Sequence, residues 1–219
     1  KCRFLKTYPK SVLFNHSSEN FDLKKKYFNS LNNLTLVPVS NWLFELTRRS
    51  MLGWNNIQMI HNGIDLQVFK PIEDEITTIP FDKKVVLGVS FDWDERKGLG
   101  DFVTMRKLLP DDYIIILVGL NKTQISKLPS GIIGIERTQS TLELAKYYSR
   151  ANVFANPTYE DNFPTTNIES LACGTPVVTY ETGGSPEAID AKTGAVVKYG
   201  DVNEFCRRLQ MVCEKKDEM

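Results

Sequence analysis

Two carboxylates separated by seven residues, Asp161 and Glu169, bracket a stretch that reads as the start of a helix: "EDNFPTTNIESLACGTPVV", residues 160–178. Pro164 suits a first helical turn, because it lacks the N–H that would have no partner there. Ile168, Leu171 and Ala172 are expected to form the buried stripe of this helix, with Gly174 ending it and Pro176 preventing its continuation. The free N–H groups of the first turn, together with the hydroxyls of Thr165 and Thr166, make a place where phosphate is favoured. Glu169 lies roughly 7–8 Å along the axis from Pro164, so one acid stands on each side of the anion position. Ionised carboxylates only accept hydrogen bonds and repel phosphate, and their natural partners here are neutral donors such as sugar hydroxyls. A diphosphate with a sugar at each end fits this bracket.

Such a ligand needs countercharge. The stretch "DERKGL" at 94–99 offers Arg96 and Lys97 between a predicted strand and a predicted helix, with Lys97 acting as a compact point charge. Arg-Lys pairs on loops are commonly just solvated, and this dipeptide carries weight only beside the acids. Gly183 and Gly184 either let the backbone approach a ligand or serve a plain strand-to-helix turn.

Other chemistries suit the same acids less well. A hydrolase with one carboxyl as acid and one as nucleophile leaves the helix start and Lys97 without a role. A metal cluster of Glu160, Asp161 and Glu169 is not needed where a lysine and a helix terminus carry the positive charge. A dinucleotide oxidoreductase wants GxGxxG after its first strand, where this chain has "SFDWDERKG".

These residues have to be held by a scaffold. From Lys83 onward, short β-branched runs alternate with amphipathic stretches: strands in "KVVLGVS", "YIIILVG", "GIIGIE", "NVFANP", "PVVTYE" and "GAVVK", and helices over 98–109, 122–128, 140–150, 164–173 and from Asp201. The pattern predicts an α/β fold, a Rossmann-like parallel sheet with helices on both faces and its ligand at the carboxyl ends of the strands. Upstream, "LTLVPVS" at 34–40 and "IQMI" at 57–60 read as strands. Between them lies a helix, "NWLFELTRRSML", capped by Ser40 and striped by Trp42, Leu43 and Leu46. This is the tail of a second α/β domain, so the expected division is 1–61 for that incomplete domain, 62–82 for a linker rich in turn signals, and 83–219 for the nucleotide-sugar-binding domain. The chain opens on Lys1 rather than methionine and is expected to be a piece of a longer protein.

Composition narrows the partners. The 219 residues are 42% hydrophobic and carry 27 basic and 27 acidic side chains, a balance with no general field to draw nucleic acid or an anionic bilayer. The basic run "LKKKYF" at 23–28 reads as a solvated helix face or as a small contact with anionic lipid. Cys2, Cys173, Cys206 and Cys213 show no metal or disulfide spacing and are expected as reduced thiols in a cytosolic protein. No apolar run is long enough to span a membrane and no signal peptide opens the chain. His16 and His61 are expected in structural or surface roles.

Taken in order, "NGID" with "FKP" at 62–71, "RKGL" at 96–99, the acid-x7-acid pair, "ESLACGTPVV" at 169–178 and "TGGSPEAI" at 182–189 resemble the donor-binding half of GT-B glycosyltransferases of the retaining family 4 type. The resemblance runs from "LTLVPVSNWL" onward. In details such as "YPKS" it is similar to bacterial enzymes that build capsular and other surface polysaccharides, some with a cysteine-rich stretch of which Cys2 would be the last member. It implies transfer of a hexosyl group from a nucleoside diphosphate sugar to a glycan or lipid-linked acceptor, with retained configuration and without a cofactor or metal. By match, Lys97 holds the diphosphate, Glu169 the ribose, and Asp161 the donor sugar where the family usually has glutamate. The catalytic set is then Lys97, Asp161 and Glu169. The donor-binding set adds Arg96, Arg137, Thr138, Gln139, Asn162, Phe163, Pro164, Thr165 and Thr166, with Arg137–Gln139 near the base. Many relatives carry an arginine six residues before the lysine, where this chain has Phe91; Arg96 or a group outside the chain is expected to substitute. The family's glycine-rich loop and reacting-centre histidine are not in this sequence. The chain alone is therefore expected to be inactive, and its alternative reading is a sugar-nucleotide-binding module that needs its missing N-terminal domain. The implied place is the cytoplasm or the inner face of the plasma membrane, with peripheral membrane contact through the N-terminal part.

Overall fold

The computed structural model describes residues 16–74, 76, 79–80 and 82–215. Cys2 and the "YPKS" stretch lie outside the described residues. The chain divides into two compact units, Lys1–Ile60 and His61–Met219.

In the first unit, helix α1 (Ser17–Asn29) buries none of its residues, and Lys24, Lys25 and Lys26 on it are exposed. Strands β1 (Thr35–Leu36) and β2 (Asn56–Ile57) pair in parallel around helix α2 (Asn41–Arg48), with Thr35 opposite Asn56. Ser40 caps α2 as expected, its Oγ accepting from Leu43 N at 3.1 Å. The strands are much shorter than the apolar runs that encode them. Pro38 has no N–H to give, so beyond Leu36 the ladder continues only through single bonds such as Ile60 N to Pro38 O. Trp42 and Leu46, expected on a buried stripe, are exposed.

The second unit is built on six parallel strands: β3 (Lys84–Val89), β4 (Tyr113–Val118), β5 (Ile132–Ile135), β6 (Val153–Asn156), β7 (Val177–Tyr180) and β8 (Gly194–Val197). Their order across the sheet is β5-β4-β3-β6-β7-β8, with Val86 opposite Ile115 on one side and Val153 on the other. Nearly continuous apolar runs are required because both faces are covered. Val86, Ile115, Leu117, Val153 and Tyr180 face helices α3 (Leu99–Leu108) and α7 (Val202–Glu214), packing on Phe102, Met105, Phe205 and Leu209. Their neighbours Val85, Leu87, Ile116 and Phe154 face the opposite way, against Ala145 and Tyr148 of helix α5 (Thr141–Arg150). Helices α4 (Lys122–Ile125) and α6 (Thr165–Ala172) complete the layers.

Residues 62–82, without helix or strand among those described, lie along this second face. Phe69 and Ile79 join its core, Ile72 N donates to Ser149 Oγ at 3.1 Å, and Arg150 donates to Pro80 O at 2.9 Å. Cys173, Cys206 and Cys213 are buried thiols outside any disulfide among the described residues, and burial pushes those of Cys173 and Cys206 up to about 11. Such thiols pack as small hydrophobes and are poor nucleophiles.

Candidate functional site

The sheet order reverses between β3 and β6: the chain moves outward from β3 through β4 to β5, then returns to build β6, β7 and β8 on the other side. Ligands of open α/β sheets bind in the crevice at the carboxyl ends of the strands at such a reversal. A cleft of about 430 Å³ opens there, lined by Val89 and Ser90 at the end of β3, Asn156 and Pro157 at the end of β6, and Pro164, Thr165 and Thr166 at the start of α6. Its size is in the range of small-molecule sites.

Three loops meet at this cleft, and main-chain bonds join them. After β3, Asp94 caps a short 3-10 turn, Glu95–Lys97, by accepting from the N–H groups of Arg96 and Lys97. After β6, Tyr159 N donates to Arg96 O at 2.7 Å. Gly98 makes this approach possible: its φ is +73°, and a Cβ there would lie 2.3 Å from Pro157 O. After β7, Thr182 Oγ1 donates to Thr158 O at 2.8 Å and Gly184 N to Asp161 O at 3.3 Å. Gly183, at φ +52°, would place a Cβ only 1.8 Å from Asp161 O. Here Gly183 lets one loop approach another.

The stitching brings Lys97 Nζ to 2.7 Å from Asp161 Oδ2, with the side chains 33% and 19% exposed. Arg96 bonds Asp94 at 2.7 Å and lies 3.8 Å from Glu160, so its charge is shared with two acids. The segment bearing Glu160 and Asp161 is held from behind as well. Tyr159 and Tyr180 both donate to Asp101 Oδ2, at 2.7 and 2.8 Å, and burial with the Asp101 charge pushes the Tyr159 hydroxyl up to about 12.

Helix α6 begins at Thr165, with Pro164 at the N-cap in an extended conformation rather than within the first turn, and Thr165 and Thr166 lie on the cleft as expected. Its buried positions differ from the expected apolar stripe. Asn167 and Ser170 are fully buried, whereas Ile168, Leu171 and Ala172 are half-buried. Asn167 Oδ1 accepts from Asn156 Nδ2 at 2.8 Å, and Asn167 Nδ2 donates to Ser185 O at 3.2 Å. One amide thereby ties the helix to the end of β6 and to the turn after Gly184, since buried polar groups must find partners. His61 stacks on Phe163 with ring centroids 4.5 Å apart, and Asn62 Nδ2 donates to Phe163 O at 3.4 Å, holding the entry to α6.

Of the residues singled out in the sequence, Arg96, Lys97, Asp161, Phe163, Pro164, Thr165 and Thr166 line the cleft together. Glu169 lies off the lining, one turn into α6. Tyr148 Oη donates to its Oε2 at 2.9 Å, the Thr165 hydroxyl bonds it too, and burial raises its carboxyl above the ordinary range against both bonds. Asn162 is exposed and also off the lining. Arg137, Thr138 and Gln139 follow β5 and do not line the cleft, and Gln139 N is engaged by Glu143 at 2.6 Å in the start of α5. Arg137 nevertheless reaches the rim: its guanidinium is 5.6 Å from the ring centroid of Phe91, a cleft residue 89% exposed. Asn156, Asn167 and Tyr148 were not visible as site residues in the sequence. An asparagine at the third residue of α6 was the one local hint, as it breaks the apolar stripe.

Among the described residues, no group of three or more His, Cys, Asp or Glu side chains stands in position to hold a metal ion, and no helix is long and apolar enough to cross a membrane.

Six parallel strands with helices on both sides match the GT-B Rossmann-like fold of solved glycosyltransferases. Sucrose-phosphate synthase from Thermosynechococcus elongatus superposes with a TM-score of 0.78 at 24% identity, covering 94% of this chain and 56% of that one. HepE from Anabaena, solved in complex with UDP-glucose, gives 0.73 at 17% identity, over 92% of this chain and 60% of that one. Sequence gives the family: residues 83–215 match the profile of Glycosyl transferases group 1, and the chain belongs to that family. Among curated relatives, the D-inositol 3-phosphate glycosyltransferase of Mycolicibacterium paratuberculosis is 30% identical over 170 residues, which is 70% of this chain and 38% of that protein. The chain thus spans well under half the length of that relative.

Proposed function

We propose that the chain is the donor-binding part of a hexosyltransferase of the retaining, family 4 type, which moves a hexosyl group from a nucleoside diphosphate sugar to a glycan or lipid-linked acceptor in surface polysaccharide synthesis. The carrying observation is the cleft at the sheet reversal, where a lysine and the start of α6 converge beside a carboxylate. In this reading the diphosphate binds the N–H groups of Thr165 and Thr166, the Thr166 hydroxyl and the ammonium of Lys97, while the Thr165 hydroxyl stays on Glu169. Asp161 accepts from hydroxyls of the donor sugar, and Glu169 from those of the ribose. Arg137, at the rim with Phe91, and the neighbouring Thr138 and Gln139 lie on the base side. When the bond from the anomeric carbon to the terminal phosphate oxygen breaks, its electron pair stays on that oxygen. Lys97 and the helix start stabilise the charge that develops. The anomeric carbon bonds the acceptor hydroxyl, whose proton passes to solvent. The carboxylates act by positioning. No cofactor is called for, because the diphosphate finds its countercharge in the protein.

The relatives named D-inositol 3-phosphate glycosyltransferases favour a second acceptor class, a small phosphorylated polyol. The alternative reading keeps this chain as a sugar-nucleotide-binding module that needs a partner domain for turnover. The proposed place is the cytoplasm or the inner membrane face.

Isothermal titration of the chain with UDP-glucose, GDP-mannose and ADP-glucose tests the site. At least one should bind, with affinity reduced more than about tenfold in Lys97→Ala and Glu169→Ala. Equal affinity in the three proteins overturns the assignment. Supplying D-inositol 3-phosphate or a lipid-linked saccharide to the full-length enzyme separates the acceptor classes.

A further inference from the structure

We infer that Asp161 makes the site discriminate between a nucleoside diphosphate sugar and the free nucleoside diphosphate, by competing with phosphate for Lys97. The inference rests on the proposed donor site and extends it to selectivity and product release. The ion pair is short, at 2.7 Å, and partly sheltered, at 33% and 19% exposure. It is also rigidly backed: the carbonyl of Asp161 is engaged by Gly184 N, and the preceding Tyr159 is tied to Arg96 O and Asp101. These bonds fix the backbone that carries Asp161, so its carboxylate stays beside the Lys97 position when the ammonium turns to another anion. Other charges nearby do not cancel Asp161, because Arg96 is already shared between Asp94 and Glu160.

Any phosphate that takes Lys97 must therefore sit beside a carboxylate that loses its cation. The two ligands meet that situation differently. In a nucleotide sugar the terminal phosphate is esterified, carries one charge, and brings hydroxyls that donate to Asp161 in exchange for the ammonium. A free nucleoside diphosphate has a terminal phosphate with a second ionisation near pH 6, so at neutral pH it brings close to one more negative charge and no hydroxyl in that direction. Like charges a few ångströms apart in a half-buried cleft disfavour binding by about an order of magnitude or more. The same contrast arises during turnover. Breaking the glycosidic bond leaves the extra charge on the phosphate and removes the hydroxyls, so Asp161 re-pairs with Lys97 and the product is expelled.

Titration of wild type, Asp161→Asn and Asp161→Glu with the pairs UDP and UDP-glucose, GDP and GDP-mannose, and ADP and ADP-glucose is the test, with thermal unfolding as a check that each variant is folded. For the pair that binds, the ratio of the Kd of the diphosphate to that of its sugar is expected to fall about tenfold in Asp161→Asn, with the free diphosphate binding more tightly than to wild type. Asp161→Glu, which keeps the charge, should hold the ratio near the wild-type value. An unchanged ratio in Asp161→Asn, or equal weakening of both ligands, overturns the inference while leaving the donor site standing. Absence of binding by all six ligands to the wild type removes both.

Discussion

Tyr148 Oη donates to Glu169 Oε2 at 2.9 Å, linking a fully buried ring of α5 to the carboxylate of α6. The bond spans 21 residues of sequence and sets the direction of the acid proposed to hold the ribose. Phenylalanine in its place keeps the ring packing against Phe69 and Phe154 and removes only the donor. Tyr148→Phe should cost about 1–3 kcal/mol of stability in urea unfolding, the scale of a hydrogen bond to a charged group, and weaken nucleotide binding in titration calorimetry.

Glu169 also sets a pH dependence. Burial raises its carboxyl above the ordinary 4.5, outweighing the bonds from Tyr148 and Thr165. The folded chain then keeps a proton that the unfolded chain has released. The group's contribution to stability is fully present below the ordinary carboxylate value and is lost as pH rises through the raised one. Ligand affinity should run the opposite way, since only the carboxylate accepts two hydroxyls. Thermal unfolding and calorimetry between about pH 4 and about pH 8 should show both trends in wild type and neither in Glu169→Gln.

Asn167 bridges three elements from a fully buried position. Alanine there removes two hydrogen bonds and leaves Asn156 Nδ2 and Ser185 O without their partner. A loss of about 2–4 kcal/mol is expected in chemical denaturation. Nucleotide-sugar affinity should fall with it, because the start of α6 is no longer fixed to β6.

Gly183→Ala meets both a positive φ and the carbonyl of Asp161. The left-handed conformation alone costs roughly 1–2 kcal/mol, and the clash requires the loop bearing Asp161 to shift. The expected result is a lower melting temperature together with weaker binding of the sugar nucleotide.

The ring of Phe91 is almost wholly exposed at the cleft. Phe91→Arg adds a cation that a diphosphate can reach. Nucleotide-sugar affinity should rise about three- to tenfold, with a steeper dependence on salt; unchanged affinity in titration calorimetry overturns the expectation that the diphosphate passes within reach of this position.

Much of the second unit was legible in the residues. Each of the six expected strands and five expected helices forms, within a few residues of its expected bounds, because turn glycines, caps such as Ser140 and runs such as "YIIILV" act over short range. The first unit was less legible. There Pro38 cuts the pairing short, and residues expected on a buried stripe are exposed.

The sequence by itself determined the alternation of strands and helices, the helix start at Pro164 to Thr166 and the types of side chain placed around it, since these depend on neighbours a few residues away. The tertiary structure alone decided which of those side chains meet. Lys97 pairs with Asp161 across 64 residues, Tyr148 turns toward Glu169, and Asn167 rather than an apolar residue fills the core of α6. Such partnerships follow from strand order and from loops docked through their backbones, and neither leaves a local pattern in the chain.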